Sequence, residues 1–405
     1  MPSTLPEGDL PPSDGSLPES ARAEISERTL GVYVHVPFCT TRCGYCDFNT
    51  YTAAELGSRP GSGRAGYVQG VLAELDQAAR VLGPQAPPVS TIFVGGGTPT
   101  LLPPGDLGRV VATIEQRFAL ASDVEITTES NPESVSADDL ARLREQGFTR
   151  ISFGMQSAVP AVLATLDRVH SPGRPAEAVA EARAAGFDQV SLDLIYGTPG
   201  ETVADWETSL AAALAARPDH LSAYALVVER GTRLAARVRR GELPRTDEDD
   251  LADKYLVAED CLTAAGYFAY EVSNWATSPA SRCRHNLGYW LGDHWWGIGP
   301  GAHSHVGGVR WWNVKHPEAY AARLDSGVSP AYAREVLTPE QRRTERVLLE
   351  LRLREGLPLE VLTGTEQLRI PDLVARKLAV LEGDRLVLTL QGRLLADGVV
   401  RELLD

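Results

Sequence analysis

The sequence predicts an α/β protein: a parallel sheet with helices outside it, followed by a smaller, mainly helical C-terminal domain. Two patterns predict it. Between residues 31 and 228, six short apolar runs alternate with amphipathic helical segments, an alternation that builds parallel sheets. From Thr338 onward, helical periodicity is followed by a short strand pair, suggesting a winged-helix-like module. Four segments result: a disordered tail over 1–28, an α/β barrel-type domain over 29–240, a closing segment over 241–335 and the C-terminal domain over 336–405.

The elements follow in order. The tail holds five prolines in 28 residues, has no apolar core, and lacks the apolar centre of a signal peptide. The first strand is expected at 31–36. A Gly-, Ser- and Pro-rich stretch over 55–66 reads as a flexible insertion, and 67–82 as the first long helix. Strands are then expected at 91–94, 124–129, 151–156, 190–195 and 221–228, with helices at 107–118, 138–146, 175–185 and 206–216 between them. Gly95, Gly96, Gly97 and Thr98 follow the second strand, where glycines let backbone approach a ligand and offer amides to it. Glu129, Gln156, Asp193 and Tyr224 fall at the carboxyl ends of successive strands, the edge that faces ligands in parallel α/β folds.

Composition narrows the class. A chain of 405 residues, 43% hydrophobic with a net charge of −15, reads as soluble and globular, and its acidity argues against a broad nucleic-acid-binding face. No apolar run approaches the ~20 residues that span a bilayer. Three of the five cysteines, Cys39, Cys43 and Cys46, stand at C-x3-C-x2-C directly after the first strand, which leaves Cys261 and Cys283 too few for a disulfide framework. Thiolates at that spacing can wrap a loop around a [4Fe–4S] cube. Three of them leave one of four irons without a protein ligand, the open position that a catalytic metal site keeps. A zinc knuckle would want a fourth Cys or His nearby; Phe48 stands where one would sit, and strand alternation makes His35 a packed residue. A cluster also calls for a reducing compartment, here the cytoplasm.

The cysteine loop, with Tyr45 before its last cysteine, resembles the radical S-adenosylmethionine (SAM) superfamily. Within it, the stretches around Tyr33, Gly95–Thr100, Glu129–Pro132, Ser152–Ser157, Leu166–His170 and Asp193–Gly197 resemble the oxygen-independent coproporphyrinogen III oxidase group. The resemblance implies an open, partial (β/α)6 barrel, a [4Fe–4S] cluster on the three cysteines, and SAM on the open iron. It implies SAM contacts from Tyr33, Tyr45, Gly96, Gly97, Thr98, Glu129, Gln156, Arg168 and Asp193, with Arg168 suited to pair a carboxylate. The oxidase branch carries a fourth cysteine where Phe48 stands, and an ordered N-terminal segment in place of this tail. A second branch, of heme-binding chaperones, matches at both points and shares H-N-x-x-Y-W, present as His285-Asn286-Leu287-Gly288-Tyr289-Trp290.

Six of the seven tryptophans lie between Trp275 and Trp312, with His285, His294, His303 and His305 among them. Composition alone favours a packing seam, since aromatic residues more often make core than cofactor sites. The family motif instead assigns His285 to heme, with Tyr289 or Trp290 stacking on it and Cys283 as the competing iron ligand. The stretch 299–304 is expected to line the SAM side of the same cavity. In the C-terminal domain, helices are expected at 338–354 and 366–381, then a strand at 386–388 and a closing segment over 392–404. Eleven Lys/Arg against twelve Asp/Glu from Thr338 onward give no footprint for DNA. The expected function is therefore a cytoplasmic heme chaperone passing heme to apo-hemoproteins, including membrane-bound respiratory proteins reached by peripheral contact. The alternative is oxidative decarboxylation of coproporphyrinogen III. Cleavage of SAM and homodimerisation are left open.

Overall fold

In the computed structural model, residues 7–57, 61, 63–171 and 173–405 are described. Part of the expected insertion, at 58–60 and 62, lies outside them; the rest is shorter than expected, because the first long helix already begins at Arg64 (Arg64–Leu82). The six expected strands form as β1 Leu30–Val36, β2 Val89–Gly96, β3 Leu120–Ser130, β4 Arg150–Gln156, β5 Gln189–Tyr196 and β6 His220–Ala225. They pair consecutively and in parallel. Both faces of β1 are covered, and its near-continuous apolar run suits a parallel strand packed on two sides. Helices Pro104–Arg117, Ala137–Glu145, Arg174–Ala184 and Val203–Ala215 connect the later strands. Ser136 and Thr202 begin two of them as capping boxes with Asp139 and Asp205, which satisfy amides the first turn leaves free.

A seventh parallel strand was not anticipated. After β7 Phe268–Glu271 and β8 Asn274–Ala276, β9 His294–Ile298 lies parallel to β1 on its far side. β10 His303–Val306, β11 Val309–Asn313 and β12 Ala331–Val336 then extend that edge antiparallel, while β8 and β7 extend the β6 edge. The twelve-stranded sheet ends at β12 and β7, so the barrel is open. The tryptophan-rich stretch supplies much of these edges: Trp275, Trp296, Trp311 and Trp312 are buried.

The C-terminal region has its own apolar core, including Val347, Leu351, Leu373, Leu386, Val399 and Leu403. Around it lie β13 Leu357–Pro358, β14 Ala379–Glu382 and β15 Arg385–Leu388 as an antiparallel sheet. The helix expected over 366–381 is broken into Gly364–Gln367 and Ile370–Ala375, followed by β14. Pro371 starts a new helix where the old one would continue, and Lys377, at φ 60°, turns the chain into the strand.

The N-terminal segment departs most from expectation. Residues 7–28 form a packed strap instead of a disordered tail. The amide of Asp9 donates to Arg334 O at 2.8 Å, and that of Arg334 donates back at 2.9 Å, adding the segment to β12. Leu17, Ala21 and Ile25 are buried, and Ala21 fits only because Gly307 opposite has no side chain: a Cβ there would lie 2.5 Å from the Ala21 backbone. Glu24 then bridges to Arg342 at 2.7 Å. Few apolar residues separated by prolines resemble a disordered composition, yet they suffice when each fills a prepared gap. Ile25→Ala is accordingly expected to cost about 2–4 kcal/mol, measured by denaturant unfolding; no change in midpoint would mean the strap is not part of the cooperative fold.

Candidate functional site

A cavity of about 1190 Å³ opens within the sheet at the carboxyl ends of β1–β6 and runs down its interior. Side chains alternate along a strand, so every second residue faces inward. Arg150, Ser152, Gly154 and Gln156 of β4 line the cavity, as do Ser191, Asp193 and Ile195 of β5 and His220, Ser222 and Tyr224 of β6. The four expected strand-end residues, Glu129, Gln156, Asp193 and Tyr224, thus come together, joined by Tyr33, Tyr45, Gly96, Gly97, Thr98 and Arg168.

Cys39, Cys43 and Cys46 line one end of this space, none in a disulfide. Their loop is held to the sheet by backbone. Gly97 and Thr98 donate their amides to Val36 O and Phe38 O, both at 2.8 Å, so these two amides serve the loop and are not offered to a ligand as expected. A Cβ on Gly97 would lie 2.5 Å from Phe38 O and 2.9 Å from Cys39 Sγ, which closes the position to any other residue. On the other flank, Gly44 donates to Leu166 O at 2.9 Å and accepts from the amide of Leu234 at 2.8 Å. Arg168 reaches Cys43 Sγ at 3.8 Å and donates to Gly154 O at 2.7 Å, while its Nε keeps no partner.

Burial, reinforced by the neighbouring thiols, pushes Cys39 up to about 11 and raises Cys46. Cys39 and Cys46 are therefore held as thiols, and an iron cluster would supply the charge that makes them thiolates. No three His, Cys, Asp or Glu side chains among the described residues converge on a single-ion site. Binding at separate corners of a cluster does not require that convergence.

The carboxylates share one cause of perturbation. Burial, then the charge of Asp193, lifts Glu129 to about 7, although the Gly96 amide donates to it at 2.9 Å. Asp193 is raised by burial too, against the hydrogen bond from Ser152 at 2.9 Å. Two close buried acids with a free guanidinium edge beside them suit a zwitterionic, cationic ligand. Gln156 sits at φ 64°, beyond a register shift after Gly154, a conformation few non-glycine residues adopt. Nothing in the sequence signals it.

The opposite wall is aromatic: Tyr33, Phe93, His285, Tyr289 and Trp295. His285 stacks on Phe93 at 5.1 Å between ring centres. Both of its ring nitrogens are engaged, Nδ1 with Thr91 Oγ at 2.8 Å and Nε2 with the Tyr289 hydroxyl at 2.9 Å. Burial holds it down to about 3, so it is neutral. His285 therefore lines the cavity as a ring, with no nitrogen free for iron in this arrangement. His220 is engaged likewise by Ser191 and Tyr270, whereas His303 Nε2 and His170 Nδ1 have no partner. Cys283 lies in the wall with its thiol directed to Glu125 at 3.7 Å. Of the stretch 299–304 only His303 reaches the cavity; Trp290 does not line it and bonds Glu271. His294 and His305 bind the backbone of Glu24 and Asp293 instead. His35 is a packed strand residue as expected: its Nε2 donates to Asn49 O, so Nδ1 accepts from the Tyr33 hydroxyl at 3.0 Å.

The missed lining residues include Phe93, Arg150, Ser152, Ser222 and Trp295. Alternation inward from Gln156 marks Arg150 and Ser152, the one signal available.

Comparisons with known proteins agree with this arrangement. Residues 33–213 match the family described as the Radical SAM superfamily. The chain is 54% identical over 382 residues, 94% of its own length and 96% of the relative's, to a Mycobacterium tuberculosis protein named heme chaperone HemW. It is 32% identical to the Bacillus subtilis protein of the same name, over 91% of this chain and 97% of that one. Among solved structures, Escherichia coli coproporphyrinogen III oxidase, HemN, described as a radical SAM enzyme, superposes with a TM-score of 0.81 at 23% identity, covering 96% of this chain and 94% of that one. That likeness establishes a shared fold.

The Glu129 shift fixes the sign of a pH effect. A folded-state value near 7, above the ordinary 4.5, means the folded protein holds this proton more tightly than the unfolded chain. The resulting stabilisation is present below the unfolded value and lost as pH rises through about 7. In Glu129→Gln, the ligand-free protein should lose on the order of 3 kcal/mol less between pH 4.5 and 8. Urea unfolding across that range checks it; an unchanged slope would mean Glu129 is ionised throughout.

Proposed function

Because the chain belongs to the heme chaperone HemW family within the radical SAM superfamily, we propose that it binds heme and hands it to apo-hemoproteins. One observation carries the reading: a single cavity has three free cysteines at one end and a wall of stacked rings at the other. Cys39, Cys43 and Cys46 hold a [4Fe–4S] cluster, which leaves one iron open to SAM. Glu129 and Asp193 face the SAM ammonium and ribose, Arg168 pairs its carboxylate, and Tyr33, Tyr45, Gly96, Gly97, Thr98 and Gln156 enclose it. Neutralising one positive ligand against two buried acids relieves the strain that keeps Glu129 protonated. SAM bound to such a cluster supplies one-electron chemistry; these residues position it and keep water from it.

Heme lies on the opposite wall, its face against Phe93, His285 and Tyr289. A free imidazole nitrogen in the same cavity belongs to His303, whose ring stacks on Trp312 and which burial holds down to about 4 and therefore unprotonated for iron. Phe48, 48% exposed at the cavity mouth, stands where the oxidase branch has its extra cysteine. Among the described residues no helix is long and apolar enough to cross a membrane, so an acceptor in a bilayer would be met at its surface.

Two experiments test this. Cys43→Ser should abolish the cluster absorbance of the anaerobically reconstituted protein, while Cys261→Ser, outside the cavity, should retain it; the reverse would remove the cluster assignment. In heme titrations, His303→Ala should shift the Soret band. His285→Ala should weaken binding about three- to tenfold with the wild-type band, the scale of one lost ring contact, and His170→Ala should change neither. A shifted band in His285→Ala alone would move the iron ligand to that residue. Absence of heme binding by the unaltered protein would overturn the function.

A further inference from the structure

The deep end of the cavity holds a charge that neither the cysteine loop nor the SAM contacts use. Arg150, the first residue of β4, is 2% exposed and lines the cavity. One guanidinium nitrogen donates to Ser281 O at 2.9 Å; the other, Nη2, has no partner. A guanidinium stays protonated even when buried, and leaving it unpaired costs several kcal/mol. No carboxylate hydrogen-bonds it, although its charge is felt at Asp193. Asp193, one layer up, accepts from Ser152, and Glu125 on the neighbouring strand accepts from the amides of Arg284 and His285. Ser191, His220 and Tyr270 satisfy one another as a neutral chain.

Register places this cation against the rings. Tyr33 pairs with Phe93, Phe93 with Thr127 and Thr127 with Arg150, so one row crosses from the ring wall on β1 and β2 to the guanidinium on β4. Two strand spacings separate Phe93 from Arg150, about 10 Å, comparable to the breadth of a porphyrin. Gly154, where Arg168 is anchored, lies four residues along β4, about 13 Å away. A carboxylate held at Arg168 therefore leaves Arg150 uncompensated. We propose that Arg150 is the receptor for a propionate carboxylate of the porphyrin that lies on the Phe93–His285 wall. The assignment rests on the heme reading above and adds the group that orients the ring: the propionate edge points inward and is desolvated, where a charge-assisted hydrogen bond is strongest.

The test compares heme with its dimethyl ester, in which both carboxylates are masked. The unaltered protein should bind the ester about tenfold more weakly than heme, the worth of one charge-assisted contact. Arg150→Gln should weaken heme by a similar factor and leave the ester within about twofold, while Arg150→Lys should keep part of the preference for heme. Equal affinity of the unaltered protein for both porphyrins overturns the assignment without touching the heme reading, and does so even where Arg150→Gln fails to fold. Equal weakening of both porphyrins in a folded Arg150→Gln makes the residue a structural brace and also overturns it. So does a variant whose SAM affinity falls while the porphyrin pair is unchanged, since the guanidinium then serves the SAM carboxylate. Binding of neither porphyrin removes the heme reading and this inference together.

Discussion

The cysteine loop can lie across the sheet edge only because Gly97 has no side chain. Its amide and that of Thr98 take the carbonyls of Val36 and Phe38, and any Cβ would strike the Phe38 carbonyl and the Cys39 sulfur. Everything else at the site takes its position from this contact. The loop brings three thiols over the ends of β1 and β2, Arg168 reaches across from beyond β4, and Glu129 accepts from the neighbouring Gly96. A loop anchored by backbone leaves its side chains free for a ligand, which is the economy of building a site on the carboxyl edge of a parallel sheet.

Inside the cavity the charges are graded. Two acids that burial has raised stand near the cysteines, one guanidinium faces them, and a second guanidinium lies a layer deeper among neutral groups. In water such groups would be screened; here each one disfavours an empty site and favours a ligand of opposite charge. A ligand cationic at the upper level and anionic at the lower would relieve both at once, and two ligands sharing the cavity would do so separately.

The tryptophan-rich stretch divides its labour. Trp296, Trp311 and Trp312 make the core of the edge that β9 to β12 add beside β1, Trp275 is buried on β8 at the other edge, and Trp295 alone turns to the cavity. The β9 to β12 edge also receives the N-terminal strap, whose Glu24 ties β9 to the first C-terminal helix through His294 and Arg342. Strap, tryptophan edge and C-terminal domain thus brace one side of an open barrel that has no closing strand to do so.

The six alternating units, the cysteine loop, the glycine turn and the four polar strand ends were legible in the sequence, because each depends on local period or on residues a few positions apart. The strand-end residues do share one cavity, since parallel strands put their carboxyl ends on one edge whatever the connections. What only the tertiary structure decided depends on distant partners. A strap written in prolines becomes ordered where Gly307 leaves room for Ala21. His285 takes both its hydrogen bonds from Thr91 and Tyr289, so a motif histidine becomes a ring in a wall. Arg150 begins an ordinary strand in the sequence, and only the folded cavity leaves its Nη2 without a hydrogen-bond partner. Local spacing fixes which residues face inward; many of the partners they meet there, such as Thr91 for His285 and Ser281 for Arg150, come from segments more than a hundred residues away.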